Sequence, residues 1–532
     1  MSAFGFVGPS GVRHTRGGQP LIVLLALSLA SAILIFLAFP PADIGALAWI
    51  GLVPLLLALS QAHPIQGLLL GWLFGAVMMA GVSHFLGLFG LLPLIASAVV
   101  FGLYYGLFGL LTASLSPLRS LPLRAGAIAA AWTLAEMARA NAGPLAYPFG
   151  QLAYSQHQMP PILQFASLTG AYGVSFLIAL TNTGLATLLL AFFPASAWYQ
   201  PDSDRVRFVR ASARAMLAVY SVVFITYIWG GLVLHSAGKQ AQDDRPLQVA
   251  AVQADEPIST TRSAASEQAF EALLDRYVTL SQKLSDTADL VVWPETAVGL
   301  DLSSHEASRA KISQLARDVG AHMLIGALEY EDDALYNSAF LVSPEGEFLQ
   351  TYRKIDLVMF GEYVPLRGRL SLLERYPIRG KDFSRGSERS IMEISGTRVG
   401  PLICFEAIFP EPAREICQKG AEIIAVLNSD AWAEGTAELL HNSYTAPLRA
   451  VEARRFMVRA ASTGISAVYD PYGRLIAEVA PHAAGIAMAP VYPRQDLSTY
   501  HRWGDGPLLT ICLLLILGAS TAVGRDRRFQ SE

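Results

Sequence analysis

Charge is scarce in this chain: Asp, Glu, Lys and Arg make up 15% of its 532 residues, 53% are hydrophobic, and mean hydropathy is +0.39. A soluble protein carries about 25% charged residues, so much of this surface must face lipid. Cysteine is nearly absent, with only Cys404, Cys417 and Cys512. Their spacing matches no zinc or haem pattern and Cys512 falls in an apolar run, which argues against a disulfide framework. Dense basic runs are missing, and a net charge of -4 with pI near 6.2 offers no footprint for nucleic acid. Ionisable residues within the apolar runs are few, chiefly Glu136 and Arg139. That scarcity counts against a transport pathway, which marks itself with such groups.

What the chain does have is long apolar runs. A bilayer core needs roughly 20 apolar residues per helix, and eight candidate spans occur at about 21 to 39, 43 to 60, 66 to 88, 92 to 115, 122 to 140, 169 to 193, 213 to 236 and 507 to 524. The first follows Arg13 and Arg16 and is longer than a signal-peptide core, so it reads as an uncleaved anchor. The fifth ends in Glu136 and Arg139, read as a structural or interfacial pair. Arginines collect at the N-terminus, at 119 and 124, at 205 to 214 and at 525 to 528. All four segments then lie on one side, which makes both termini cytoplasmic. The expected layout is a membrane domain of seven spans over 1–240, an extracytoplasmic domain over 245–500, and a last helix with a cytoplasmic tail over 505–532.

From residue 247 onward short β-branched runs alternate with helical ones, as in layered α/β structure. Strands are expected at 247–253, 290–293, 322–328, 336–342, 398–404 and 422–427. Helices are expected at 264–285, 305–319, 411–419 and, as one long element, 438–460, followed by a hairpin from Ile465 to Val479 turning at Pro471-Tyr-Gly473.

Three residues at strand ends carry the chemistry. Glu295 ends Val291-Val-Trp-Pro-Glu295, Lys354 ends Tyr352-Arg-Lys354, and Cys404 ends an apolar strand. Each has a bland reading taken singly: a loop glutamate, a surface lysine, a small buried hydrophobe. Together they supply a base, a cation and a nucleophile. A thiol needs a proton acceptor or a nearby positive charge to react near neutral pH, and the same cation can stabilise the oxyanion formed when a carbonyl is attacked.

The ordered set Trp293-Pro-Glu295, Tyr352-Arg-Lys354, Phe360-Gly-Glu-Tyr-Val-Pro365, Cys404-Phe-Glu406 and Asp430-Ala-Trp432 resembles the nitrilase superfamily of carbon–nitrogen hydrolases, and within it the membrane-bound bacterial apolipoprotein N-acyltransferases. The resemblance implies a multi-pass α-helical membrane protein of about eight spans bearing an α/β nitrilase-like αββα sandwich. Glu295 would be the general base, Lys354 the stabiliser of the intermediate and Cys404 the thioester-forming nucleophile. Glu362, Glu406 and Asn337 would support them, and Phe405, Tyr363, Trp432, Leu372 and Leu373 would contact substrate. The last two belong to residues 366 to 383, which could form a mobile arm on the bilayer surface or a plain solvated loop.

The implied reaction is ping-pong, in the bacterial inner membrane with the catalytic domain periplasmic. An acyl chain passes from a phospholipid donor, typically phosphatidylethanolamine, to Cys404 and then to the α-amino group of a diacylglyceryl-modified lipoprotein. No cofactor or metal is expected, and the chain is expected to act as a monomer. Departures from the family pattern occur at Phe405, Met359, Asp356, Asn428, Ser429 and His84; none removes a proposed catalytic group. A membrane-tethered amidase, an acyltransferase with another amine acceptor, and a non-enzymatic scaffold remain the competing readings.

Overall fold

The computed structural model describes residues 19–190, 205–237, 245–255, 267–365, 367, 369 and 381–531. The chain divides into two compact units, Met1–His235 with Trp503–Glu532, and Ser236–Arg502. Leu372, Leu373 and most of the expected arm lie outside the described residues.

In the first unit, five described helices are long and apolar enough to cross a bilayer: Pro64–Val82, Leu91–Ser114, Ala166–Leu190, Val206–Ala237 and Gly506–Arg525. The other three expected spans take different forms. The first is a 17-residue helix, Leu21–Leu37. The fifth, Leu121–Ala140, is long enough but carries Arg124, Glu136 and Arg139, all buried. The second is broken into Gly45–Leu47, Ala48–Gly51 and Val53–Leu59. Pro54 causes the break, because it lacks an N–H and its ring crowds the preceding turn. Asn182 sutures the gap, donating to the Ala48 carbonyl at 2.8 Å and accepting the Leu52 N–H at 2.9 Å. Glu136 and Arg139 likewise serve the backbone. Glu136 accepts from Trp132 Nε1 and Leu152 N, both at 2.9 Å, while Arg139 donates to the carbonyls of Tyr147 and Phe149.

Helices Pro64–Val82 and Leu91–Ser114 approach backbone to backbone through glycines spaced four apart. A Cβ on Gly67 would sit 2.5 Å from the Gly109 carbonyl, and one on Gly71 2.2 Å from that of Tyr105. Lipid provides no hydrophobic drive between helices, so close packing of small residues is what holds such a pair.

The second unit contains two sheets. The first joins β1 (Leu247–Gln253), β2 (Leu290–Val292), β3 (Val298–Asp301), β4 (His322–Glu331), β5 (Ala334–Val342), β6 (Phe348–Arg353) and β13 (Gly485–Val491) in the order β13-β1-β2-β4-β5-β6, with β3 on β4. The second runs β12-β11-β10-β9-β8-β7, with β7 (Met392–Ile394), β8 (Thr397–Ile403), β9 (Ile423–Asn428), β10 (Phe456–Ala461), β11 (Ser466–Tyr469) and β12 (Leu475–Val479). Alternate residues of each strand face opposite ways. Val249, Ala251, Val292 and Leu324 of one sheet therefore meet Ile403, Ala425, Leu427 and Val458 of the other in a shared core. Their neighbours Ala250, Val291 and Met323 pack under helices Glu267–Ser281 and Glu306–Val319. On the far side, Leu402, Ile424 and Met457 pack under helices Pro410–Gln418 and Ala446–Ala453. The result is the expected α-β-β-α sandwich.

One expectation fails here. The long helix over 438–460 is instead two short helices, Glu438–Ser443 and Ala446–Ala453, and the strand β10. Arg454 ends the second helix in the left-handed region at φ 53°, and the next residues enter the sheet as a fully buried strand between β9 and β11. A buried strand is apolar on both faces and so lacks the alternation that distinguishes strand from helix in sequence.

Candidate active site

The parallel strands of both sheets end on one side, and the candidate residues follow those ends. Glu295 comes three residues after β2, Lys354 directly after β6 and Cys404 directly after β8. Asn337 lies within β5, where its carbonyl accepts the Lys354 N–H at 2.9 Å. The parallel register pairing Ile403 with Leu427 sets Cys404 beside Asn428, the last residue of β9.

Three residues at this edge hold left-handed backbone: Thr296 at φ 51°, Phe360 at 63° and Cys404 at 52°. A β-branched, an aromatic and a thiol side chain gain nothing from this conformation, unlike the aspartates that adopt it elsewhere in the chain. Thr296 adjoins Glu295, Phe360 stands two residues before Glu362, and Cys404 is itself a candidate. Backbone strain of about 1–3 kcal/mol per residue survives only where surrounding contacts enforce it.

Those contacts are dense. Lys354 is 1% exposed and its Nζ donates to Glu295 Oε1 and to Glu362 Oε1, each at 2.9 Å. Asn337 Nδ2 donates to the same two oxygens at 2.6 and 3.0 Å. The Ser429 N–H donates to Glu295 Oε2 at 3.1 Å, and the Val358 N–H to Glu362 Oε2 at 2.7 Å. One cation thus bridges two carboxylates, with a single neutral amide steadying both. Among the described residues Glu295 Oε2 has one donor, which leaves it a lone pair to accept a proton.

The charges tune one another. Burial pushes the Glu295 carboxyl above its usual range; Lys354 opposes that and Glu362 adds to it. Burial would strip Lys354 of its proton, yet Glu295, Glu362 and the Cys404 sulfur hold its ammonium well above the ordinary lysine value. Burial also pushes the Cys404 thiol well up, and Glu295, Asp430 and Glu438 reinforce this against the pull of Lys354. At rest the Cys404 thiol is therefore neutral, within the electrostatic reach of Glu295 and Lys354.

Glu406 works at one remove. Fully buried, it accepts the Ile355 and Ile403 N–H groups at 2.8 Å and the Tyr352 hydroxyl at 2.8 and 2.9 Å, and it pairs with Arg389 at 3.1 Å. It ties the segment carrying Lys354 to the turn carrying Cys404. Arg389, also paired with Asp356 and with Glu415, escaped sequence reasoning. A solitary arginine after a polar stretch gives no signal. Asp430 was read only as part of a motif; it is buried, pairs with Arg459 at 3.2 Å and accepts from Asn428, which steadies the turn presenting the Ser429 N–H. Glu438, 2% exposed, was also missed.

Of the expected substrate contacts, Phe405, Tyr363 and Trp432 are half-buried. Phe405 packs edge-on against Phe409 with ring centres 4.9 Å apart, Tyr363 lies under Arg385, and Trp432 follows Asp430 in a short turn.

Gly326 of β4 offers a test of this geometry. A Cβ there would lie 2.1 Å from the Pro294 carbonyl and 2.7 Å from Glu295 Cα, so Gly326→Ala must displace the general-base candidate. We expect a loss of roughly 100-fold in turnover, the cost of about 1 Å of misplacement, checked by steady-state kinetics on protein that still unfolds cooperatively.

Comparison with known proteins adds the following. The family described as carbon-nitrogen hydrolase matches residues 248–500, and that described as apolipoprotein N-acyltransferase N-terminal domain matches residues 31–184. The apolipoprotein N-acyltransferase of Geobacter metallireducens is 31% identical over 502 residues, covering 90% of this chain and 91% of that relative. That of Azotobacter vinelandii is 31% identical over 522 residues, covering 94% and 95%. Among solved structures, an amidase from Nesterenkonia sp. AN1 aligns at 19% identity over 49% of this chain and 98% of its own, with a TM-score of 0.37.

Proposed function

Since the chain belongs to the apolipoprotein N-acyltransferase family, within the carbon–nitrogen hydrolase superfamily, we propose that it moves an acyl chain from a membrane phospholipid, through a thioester on Cys404, to the α-amino group of a diacylglyceryl-cysteine. The observation carrying this reading is the buried Glu295–Lys354–Glu362–Asn337 cluster at the strand edge where Cys404 is held at positive φ.

In the first half-reaction Glu295 takes the thiol proton and the thiolate attacks the donor's ester carbonyl. Lys354 stabilises the oxyanion, an effect worth about 3–4 kcal/mol. The C–O bond breaks and the lysophospholipid oxygen leaves with the proton from Glu295. In the second, the amine attacks the thioester carbonyl, the C–S bond breaks, and Glu295 passes a proton from nitrogen to sulfur. Phe405, Tyr363 and Trp432 flank the acyl path.

The membrane unit serves as eight spans in this reading. Leu21–Leu37, the Pro54-broken segment and Leu121–Ala140 join the five long helices, both termini lie in the cytoplasm, and the sandwich lies in the periplasm of the inner membrane. The arginine clusters support that orientation. Phosphatidylethanolamine is the proposed donor and a monomer the proposed working state.

Intact mass tests the reaction class. Wild-type protein exposed to phospholipid is expected to gain one acyl mass, removed by an amine acceptor with formation of an amide. Cys404→Ala is expected to gain none; equal labelling of that variant would refute the assignment, and release of free acid alone would indicate an amidase.

The pH profile gives a second check. Glu295 must be ionised to act, and its carboxyl is held above the ordinary range, so thioester formation should fall, as pH drops, at a higher pH than an ordinary carboxylate would impose. Glu362 raises that value by like-charge repulsion. Glu362→Gln should therefore shift the acid limb to lower pH, even if the maximum rate falls; a limb that stays put or moves up would remove Glu295 as the titrating base.

A further inference from the structure

Three buried side-chain oxygens around Cys404 have no hydrogen-bond partner among the described residues: Asn428 Oδ1, Asn337 Oδ1 and Glu438 Oε2. Asn428 is 0% exposed, Glu438 2% and Asn337 3%. The identity of the two amide atoms follows from chemistry. Asn428 turns Nδ2 to the Asp430 carboxylate, and Asn337 turns Nδ2 to Glu295 and Glu362. A carboxylate only accepts, so the atom left over on each amide is the carbonyl oxygen.

Two of the three Lys354 N–H groups go to carboxylates, which leaves one for the oxyanion, and the Ser429 N–H goes to Glu295. The capacity left on the two asparagines is acceptor capacity. Asn428 ends β9 beside the Cys404 turn, and Glu438 opens the helix that follows the loop after β9. Asn428 is bonded to Asp430, and Glu438 shares the electrostatic field of both Asp430 and Cys404. Asn337 is bonded to Glu295, whose other oxygen accepts the N–H of Ser429, the residue after Asn428.

Buried acceptors call for a ligand rich in donors. A phosphate, an ester carbonyl or an alkoxide offers only acceptors and would leave both asparagine oxygens unmatched. A primary amine or ammonium brings two or three N–H groups. We propose that Asn428, Glu438 and Asn337 form the subsite that receives the acceptor's α-amino group. This deepens the acyl-transfer reading and rests on it.

The subsite also handles a proton. The acceptor's α-amino group has an ordinary pKa near 8 and arrives partly as ammonium, whose nitrogen cannot attack. Burial, reinforced by Asp430 and opposed by Arg459, pushes the Glu438 carboxyl up to about 8, so it exchanges a proton with such an amine at little cost. The ammonium gives one proton to the Glu438 carboxylate and becomes a free amine. Its lone pair forms the C–N bond as the C–S bond breaks, and the second proton goes through Glu295 to the sulfur. Glu438 then returns its proton to solvent.

The test separates the half-reactions in the full-length protein. Cys404 is first loaded from phospholipid and followed by intact mass. The thioester is then discharged with a dipeptide bearing an N-terminal diacylglyceryl-cysteine, or with water alone. Glu438→Leu is expected to load within a few-fold of wild type but to discharge to the amine about 10- to 100-fold more slowly, the loss of one hydrogen bond to a charged group, with hydrolysis unchanged. Glu438→Gln, which keeps an oxygen, should restore part of the rate. Equal slowing of loading and discharge would assign these residues a structural role and overturn the proposal. Equal slowing of aminolysis and hydrolysis would assign the oxygens to water and overturn it too, as would unchanged discharge. If Glu438→Leu does not fold, Glu438→Gln, which keeps the shape, decides by the same split between aminolysis and loading. A wild-type protein that never forms the thioester would instead overturn the function on which the subsite rests.

Discussion

Lys354→Met should cut acyl transfer by at least about 1000-fold, a barrier increase of roughly 4 kcal/mol. Methionine keeps the volume and removes the ammonium that, among the described residues, is bonded to both Glu295 and Glu362. Those carboxylates would then share the single amide of Asn337, and like charges so close cannot both stay ionised. A protonated Glu295 cannot take the thiol proton, and the oxyanion has lost its cation as well. Lys354→Arg should rescue little, because a planar guanidinium does not fit a site that converges on one nitrogen. The carboxyl pair of the methionine variant would have a folded pKa above its unfolded one. Its stability should therefore decline as pH rises out of the ordinary carboxylate range, a trend readable by thermal unfolding at several pH values. Retention of more than about a tenth of wild-type activity would remove Lys354 from the chemistry.

The sequence made the sandwich legible where strands were bounded sharply. Val291-Val-Trp293 stops at Pro294, and Pro401-Leu-Ile403 stops at a cysteine and a glutamate, so the edge bearing Glu295 and Cys404 could be found from apolar runs and their stops. Lys354 was legible for the same reason, lying just past β6. Other groups were hidden because their meaning is tertiary. Arg389 matters through Asp356, Glu406 and Glu415, which are 33, 17 and 26 residues away in sequence. Glu438 acquires its character from burial beside Asp430, which no local pattern announces. The merging of β10 into a helix has a different cause, since Phe456–Ala461 is buried on both faces and carries no period. Similarly, the second apolar run had the composition of a span, but Pro54 decided its geometry and Asn182, 130 residues from Leu52, made the break tolerable.

Glu406→Ala is expected to destabilise the sandwich unit by about 3–5 kcal/mol, as when one partner of a buried ion pair is removed. Each group around this carboxylate is a donor: the Ile355, Asp356 and Ile403 N–H groups, the Tyr352 hydroxyl and the Arg389 guanidinium. Deleting the acceptor orphans them together in a place without solvent. For a unit of this size the melting temperature should fall by roughly 10 °C or more. Glu406→Gln discriminates between lost packing and lost acceptor capacity, because it preserves shape but puts an NH2 among groups that all donate. Only the Tyr352 hydroxyl can turn to accept it, so the glutamine variant should recover less than half of the lost stability. Thioester loading should fall in both variants in step with the loosened Cys404 turn, which Ile403 N–H fixes from one side and Ile355 N–H from the other. If Glu406→Gln melted within a degree or two of wild type, the carboxylate would be a packing element, and the coupling between the Lys354 segment and the Cys404 turn would have to run through Arg389 alone.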